Sequence, residues 1–198
     1  MVAERHDDDR IGYYRRMQSA VEELLILNGT LTREDIDRQV AAMDKRTYES
    51  GAKVVARAWV DDAYRAKLMA DPGAACAEIG FKLGPTHLIV LANTPEIHNV
   101  VVCTLCSCYP RMLLGVPPNW YKSREYRSRV VREPRKVLAE FGTELPASVQ
   151  IRVHDSTADM RYMVLPVRPA GTDDWSEARL AGLVTRDSLI GVGLPSSP

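Results

Sequence analysis

Three cysteines stand within six residues at Cys103-Thr104-Leu105-Cys106-Ser107-Cys108, directly after Val100-Val101-Val102. A short β-branched run of that kind predicts a buried strand. The thiols therefore fall in a loop at the strand's end, just before Tyr109-Pro110. They lie too close together for a disulfide framework, and the fourth cysteine, Cys76, stands far from them. The fold has to gather three sulfurs at one strand terminus, and we read the stretch as a metal-binding loop.

The rest of the composition removes alternatives. Lys and Arg number 26, as do Asp and Glu, so the formal charge is zero and no net field draws in nucleic acid or an anionic membrane. No apolar run approaches the roughly 20 residues of a spanning helix. Met1 to Arg10 is polar and Asp-rich, with no apolar segment of the secretory type. The expected location is the cytoplasm, where clustered cysteines favour metal or redox chemistry over disulfides.

Along the chain, residues 1–10 read as a disordered or partner-dependent tail. Tyr13, Met17, Ala20, Val21, Leu24, Leu25 and Leu27 recur at helical spacing and stop at Asn28-Gly29. Thr32 with Asp35 resembles a capping box for a second helix carrying Ile36, Val40 and Met43. Both stripes are thin, so residues 1–50 are expected to be a helical arm that packs on something else, such as a partner subunit. Residues 51–198 are expected to be the metal-binding domain.

In that domain Asp61 or Asp62 caps a helix through Tyr64, Leu68 and Met69, and Asp71-Pro72 opens another that ends at Gly80. Cys76 lies there between alanines and reads as a small core residue. Leu88-Ile89-Val90-Leu91 and Val100-Val101-Val102 are strand candidates. Ser123 starts a helix with Tyr126, Val130 and Val131, interrupted at Glu133-Pro134 and continued to Gly142. Two further strands, Val149–Val153 and Met160–Val167, with Asp155-Ser156-Thr157 between them, predict a hairpin. Trp175 to Val184 is expected to be a helix capped from Thr172 or Asp173. The fold class is α+β, an N-terminal helical arm plus a layered α/β/β/α metal-binding core.

Two arrangements suit the three thiols. Cys103 and Cys106 have the two-residue spacing of metal knuckles. A tetrahedral zinc site would then need Cys76 or His98 as a fourth ligand, since no second Cys-x-x-Cys exists. Alternatively, the amide nitrogens of Ser107 and Cys108 ligate as amidates. Two amidates and two thiolates then form a strongly donating plane, with Cys103 axial and a sixth position open. That field suits a small low-spin trivalent ion and leaves room for Lewis-acid catalysis. A non-catalytic metal carrier or iron–sulfur module is a reading from a different class.

The loop, with Pro117-Pro118-Asn119-Trp120-Tyr121 and the run from Tyr126 to Arg135, resembles the nitrile hydratase α subunit. The likeness extends to Asn93-Thr94-Pro95, His98-Asn99 and Gly51–Trp59, covering most of residues 51–142. It implies that Cys103, Cys106 and Cys108, with the amide nitrogens of Ser107 and Cys108, bind non-corrin cobalt(III) or non-haem iron(III). Thr104 matches the cobalt-type motif, where iron-type members usually carry serine. It further implies that Cys106 becomes a sulfinate and Cys108 a sulfenate, both on the ordinary thiol oxidation ladder. Arginines of a partner β subunit hold their oxygens. The implied reaction is hydration of a nitrile to its amide, with the sulfenate oxygen or metal-activated water as nucleophile. Cys108, Cys106 and Ser107 would take part directly, Ser107 through a hydroxyl aimed at substrate.

One residue departs from the family pattern. Where common members carry tryptophan three residues after the last cysteine, this chain has Arg111, followed by Met112 rather than proline. Buried arginine needs a partner charge or a hydrogen-bonding ligand. A substrate-binding Arg111 suits an anion, as in thiocyanate hydrolase, whose cobalt-bearing γ subunit has a similar loop, or a bulky polar nitrile of the nucleoside type. An acid on a partner subunit would satisfy it equally. The arginines at 124, 127, 129, 132 and 135 read as a subunit-facing or solvated helix rather than a nucleic-acid contact. His98 reads as a structural hydrogen-bonding residue, and Trp120-Tyr121 as packing for the proline turn.

Overall fold

Short polar caps define most of the helices. The computed structural model describes the backbone from Val2 and side chains from Gly12 onward. It divides into two units, Met1–Asp44 and Lys45–Pro198. The first unit holds α1 (Val2–Leu27) and α2 (Arg33–Asp44). Thr32 and Asp35 cap α2 reciprocally, each backbone N–H reaching the other's side chain at 3.1 Å. Helix α2 has no buried residue, and Tyr13, Tyr14, Met17, Val21, Leu24 and Leu27 are exposed on α1. The stretch read as an N-terminal tail is helical from Val2, since Glu and Arg there carry good helix propensity without an apolar stripe. Met1 lies outside the described residues.

The second unit opens with α3 (Glu49–Val60), α4 (Asp62–Ala70) and α5 (Pro72–Glu78). Asp61 and Asp71 accept from the backbone of Tyr64 and Ala74, each at 2.9 Å. Strands β1 (His87–Ala92) and β2 (Ile97–Val102) follow. Next come α6 (Arg111–Leu114), α7 (Asn119–Lys122), α8 (Arg124–Arg132) and α9 (Pro134–Glu140). The chain ends with β3 (Gln150–Asp155), β4 (Met160–Leu165), α10 (Glu177–Ala181) and α11 (Arg186–Ile190). Helix α10 is shorter than expected and is capped by Ser176, because Thr172 is engaged by Arg168 and by the Pro169 carbonyl.

The expected hairpin does not form. A tight turn joins β3 to β4, with Thr157 N donating to Met160 O at 3.0 Å, but the two strands enter different sheets. β1 pairs with β4 and β2 with β3, both in parallel. The cause is visible in β2, where His98 through Val102 are all buried. A strand covered on both faces is typical of parallel pairing, whereas local alternation alone suggested an antiparallel meander. β2 also contacts β4, with α4 and α5 on β1 and α9 on β3, which gives the α/β/β/α layering.

The core runs through Val54 and Val55 of α3, Val100–Val102, Leu113, Leu114, Tyr121, Leu138 and Met163–Leu165. Cys76 is fully buried in it, and desolvation pushes its thiol up to about 12, so it is an inert core residue. Beside β2 lies a polar network that fixes the strand's start. Asn93 donates to His98 Nδ1 at 3.2 Å, and His98 Nε2 donates to the Gly191 carbonyl at 2.7 Å. Asn99 donates to the side chain of Asn93 and accepts from His154. His98 is thus structural, as read from its neighbours. No helix among the described residues is long and apolar enough to cross a membrane.

Candidate metal centre

The loop leaves the sheet where β2 ends. Val102 sits opposite Asp155 in the β2–β3 register, and Ser156 N donates to Val102 O at 2.7 Å. The backbone then turns out, and Asp155 accepts from Thr104 N at 2.9 Å and from its hydroxyl. That contact reverses the chain and returns the next cysteine toward the first. Cys103 Sγ lies 3.5 Å from Cys106 Sγ, which lies 3.3 Å from Cys108 Sγ. All three sulfurs fall within 4.8 Å of one another. Cys103 is buried, Cys108 half-buried and Cys106 exposed.

Side chains from the following helices hold the loop from outside. Tyr121 on α7, wholly buried, donates to Cys108 O at 2.8 Å. Tyr126 on α8 donates to Val101 O at 2.7 Å, and Arg127 Nη1 to Cys106 O at 3.1 Å. Trp120 packs edge-on against Tyr121, Tyr126 and Phe141 in one aromatic cluster. Sequence reads Arg127 only as part of a subunit-facing or solvated helix; the half-buried side chain in addition bonds the loop. Arg135 is exposed and also donates to the Leu145, Pro146 and Val149 carbonyls. Arg129 does lie at the surface, paired with Glu133 and Glu140. No spacing rule separates Arg127 from its neighbours, because only the packing of α8 against the loop selects it.

The sulfurs share their protons unequally. Donation from Cys108 and Cys103, aided by the backbone N–H groups of Ser107 and Cys108, lowers the Cys106 thiol to about 7. Cys108 is pushed up to about 12, first by burial and then by its sulfur neighbours, with Arg161 acting against the rise. Hydrogen bonding thus favours the thiolate at Cys106, and burial disfavours it at Cys108. Within the loop Cys106 N donates to Cys103 Sγ at 3.3 Å, which turns this amide toward the first sulfur.

A cavity of about 470 Å³ opens on this side, lined by Cys106, Ser107, Cys108, Arg111, Met112 and Arg161 among others. Arg111 is exposed there and makes no ion pair among the described residues. Arg161, whose Nη1 donates to carbonyls of Thr157 and Met160, brings a second cation to the same wall. Sequence reading missed it, since it stands in a strand whose face is set only by the parallel pairing. The structure brings Cys103, Cys106, Ser107, Cys108 and Arg111 together, while Cys76 and His98 are held elsewhere by the core and by the Asn93–Gly191 network.

The family model described as the nitrile hydratase α chain matches residues 13–193. The chain belongs to the nitrile hydratase α-chain family. The cobalt-containing nitrile hydratase subunit alpha of Pseudonocardia thermophila is 53% identical over 176 residues, 87% of this chain and 86% of that one. The thiocyanate hydrolase subunit gamma of Thiobacillus thioparus is 44% identical over 199 residues, 94% of this chain and 82% of its own length. Among solved structures, a double histidine mutant of the Fe-type nitrile hydratase from Comamonas testosteroni Ni1 superposes with a TM-score of 0.87. It is 45% identical, with 94% and 92% of the two chains covered. The nitrile hydratase α-chain fold is thus shared with enzymes named for cobalt, for iron and for thiocyanate.

Proposed function

We propose that this chain is the metal-bearing subunit of a cobalt nitrile hydratase, which hydrates a nitrile to its amide. The observation that carries the reading is the convergence of three thiols on one point. That donor set fits the group. Soft sulfur donors reinforced by anionic nitrogen favour a small trivalent ion over zinc or a hard cation. The relatives named for cobalt, and Thr104 in the cobalt-type position, favour cobalt(III) over iron(III).

Cys103, Cys106, Cys108 and the amide nitrogens of Ser107 and Cys108 would hold the ion. Bound there, it supplies Lewis acidity toward the nitrile or toward an attacking water. The chain's residues do the rest. Asp155, Tyr121 and Arg127 fix the loop, so little reorganisation accompanies binding. Ser107 lines the cavity, and its hydroxyl would hydrogen-bond the substrate. Cys106 and Cys108, the more accessible thiols, are the ones to be oxidised, to sulfinate and sulfenate, with arginines from a β-type partner subunit against their oxygens. The exposed apolar residues of α1 and α2 make that arm the surface for the partner.

Arg111 and Arg161 favour a second reading of the substrate. Two cations on the cavity wall suit an anion, and the thiocyanate hydrolase relative supports thiocyanate as that anion. A bulky polar nitrile of the nucleoside type would also use them.

Two measurements on the complex with its partner subunit separate these readings. Turnover of an aromatic or nucleoside nitrile to its amide supports the hydratase. Carbonyl sulfide and ammonia from thiocyanate, with no amide from any nitrile, would replace it with the hydrolase. Mass spectrometry of the peptide spanning residues 103–108 should show about 32 Da added at Cys106 and about 16 Da at Cys108. Zinc or acid-labile sulfide with three unmodified thiols would overturn the enzymatic reading altogether.

A further inference from the structure

Arg127 is held at both ends of its guanidinium. Its Nε donates to Ser123 O at 3.3 Å, one turn back on the same helix. Its Nη1 reaches Cys106 O at 3.1 Å and Thr104 O at 3.5 Å. The Cys106 carbonyl belongs to the same peptide unit as the Ser107 nitrogen. A peptide unit is planar, and its nitrogen and oxygen share electron density. Fixing the oxygen therefore fixes the direction of the nitrogen. An amide that ligates as an anion also places part of its charge on that oxygen, where a guanidinium lies ready to offset it.

Tyr121 holds a different carbonyl, that of Cys108, whose peptide unit carries the Tyr109 nitrogen; it anchors the end of the loop rather than a ligand amide. The Cys106 and Cys108 carbonyls are thus held from α8 and α7.

We infer that Arg127 is a positioning residue of the metal centre. Through the Cys106 carbonyl it aims the Ser107 nitrogen at the ion and compensates the charge of that peptide unit. The inference rests on the reading that the Ser107 amide is a ligand. Its chemistry differs from that of the partner's arginines, since it acts on backbone oxygen and comes from within the chain.

The test uses the whole complex with its partner subunit, loaded with cobalt. Arg127→Met removes the donor and the charge, and Arg127→Lys restores one of each. Arg129→Met, on the same helix but paired outward with Glu133 and Glu140, reports on helix stability alone. The readouts are cobalt per complex, the sulfur-to-cobalt absorption band and the half-life of cobalt against a chelator. Arg127→Met should lose cobalt about 10-fold to 100-fold faster than wild type, with a shifted band. Arg127→Lys should fall between the two, and Arg129→Met should match wild type. Unchanged retention and an unchanged band in Arg127→Met would overturn the inference, as would an equal effect from Arg129→Met. Should Arg127→Met fail to assemble, Arg127→Lys decides: an altered band supports the role and a wild-type band with wild-type retention overturns it. Failure of the underlying reading shows separately, as zinc or unmodified thiols in the wild-type complex.

Discussion

Asp155 grips Thr104 twice, accepting from its backbone N–H at 2.9 Å and from its hydroxyl, across a gap of 51 residues in sequence. The last residue of β3 is thereby the clamp that turns the loop after β2. The consequence reaches the sulfurs, because Cys103 and Cys106 meet only if the backbone reverses at Thr104. Replacing Asp155 by Asn keeps the shape but weakens a charge-assisted pair at a solvent-exposed position. The expected loss is about 1 kcal/mol of stability, read by urea unfolding, with a lower cobalt content in the purified complex. Cobalt content equal to wild type would show that Asp155 does not shape the claw.

Tyr121→Phe removes a single hydroxyl from a wholly buried ring and leaves the Cys108 carbonyl without its donor. The ring still packs against Tyr109 and Trp120, so the fold should persist. A stability loss of about 1–3 kcal/mol is expected, the range for an unpaired buried polar group. Chemical denaturation measures it, and a loss close to zero would mean that water replaces the hydroxyl.

Acid should weaken the fold through His98. Burial holds its imidazole below the ordinary histidine value, outweighing the opposite pull of the Gly191 carbonyl. The unfolded chain then binds more protons than the folded one from about pH 6.5 down to the folded pKa. This contribution is therefore full above about pH 6.5, falls between there and the folded pKa, and levels off below it. His154 is shifted in the same direction, by burial and by Arg152, and Asp187 in the opposite sense, by burial of its carboxyl. The stability difference between wild type and His98→Gln isolates the effect of His98. It should shrink steadily on going from pH 7 to pH 5, and a pH-independent difference would sink the argument.

Gly191 closes α11 with φ of 86°, and a Cβ there would collide with the Asn99 carbonyl in β2. The same glycine offers its own carbonyl to His98. Gly191→Ala combines left-handed strain with a backbone clash, so a destabilisation of at least about 2 kcal/mol is expected. Its thermal unfolding midpoint should drop by several degrees or more, whereas Gly171→Ala, with φ of 74° and open space around it, should be milder.

Arg111→Trp replaces an exposed cation at the cavity wall by an apolar ring. If Arg111 selects the substrate, the exchange should raise kcat/KM for small apolar nitriles and lower it for polar or anionic substrates, by about tenfold or more. Equal kinetics for both classes would assign Arg111 to a partner's acid instead.

The loop and most helices were readable because their signals are local. Asp61, Asp71-Pro72 and Ser123 each mark a helix start within three residues, and all three caps form. The cysteine spacing is local as well. The strands were readable as strands but not as partners. Residues 150–155 and 160–165 alternate like a hairpin, and nothing nearby reveals that β1 and β2 compete for them across more than fifty residues. Arg127 and Arg161 were missed for the same reason. Each is one arginine among several, and only the long-range packing of α8 and β4 brings it to the loop.

That topology also sets an order of assembly. The loop at 103–108 leaves the ribosome well before Asp155 does, and β2 has no ladder partner until residues 150–155 follow. Pairing across such separations is slow relative to local helix formation. In that order the three thiols would be made before the clamp that gathers them. Metal identity would then be governed by when delivery occurs: an insertion step that waits for the completed C-terminal third meets a clamped loop, and an earlier one does not.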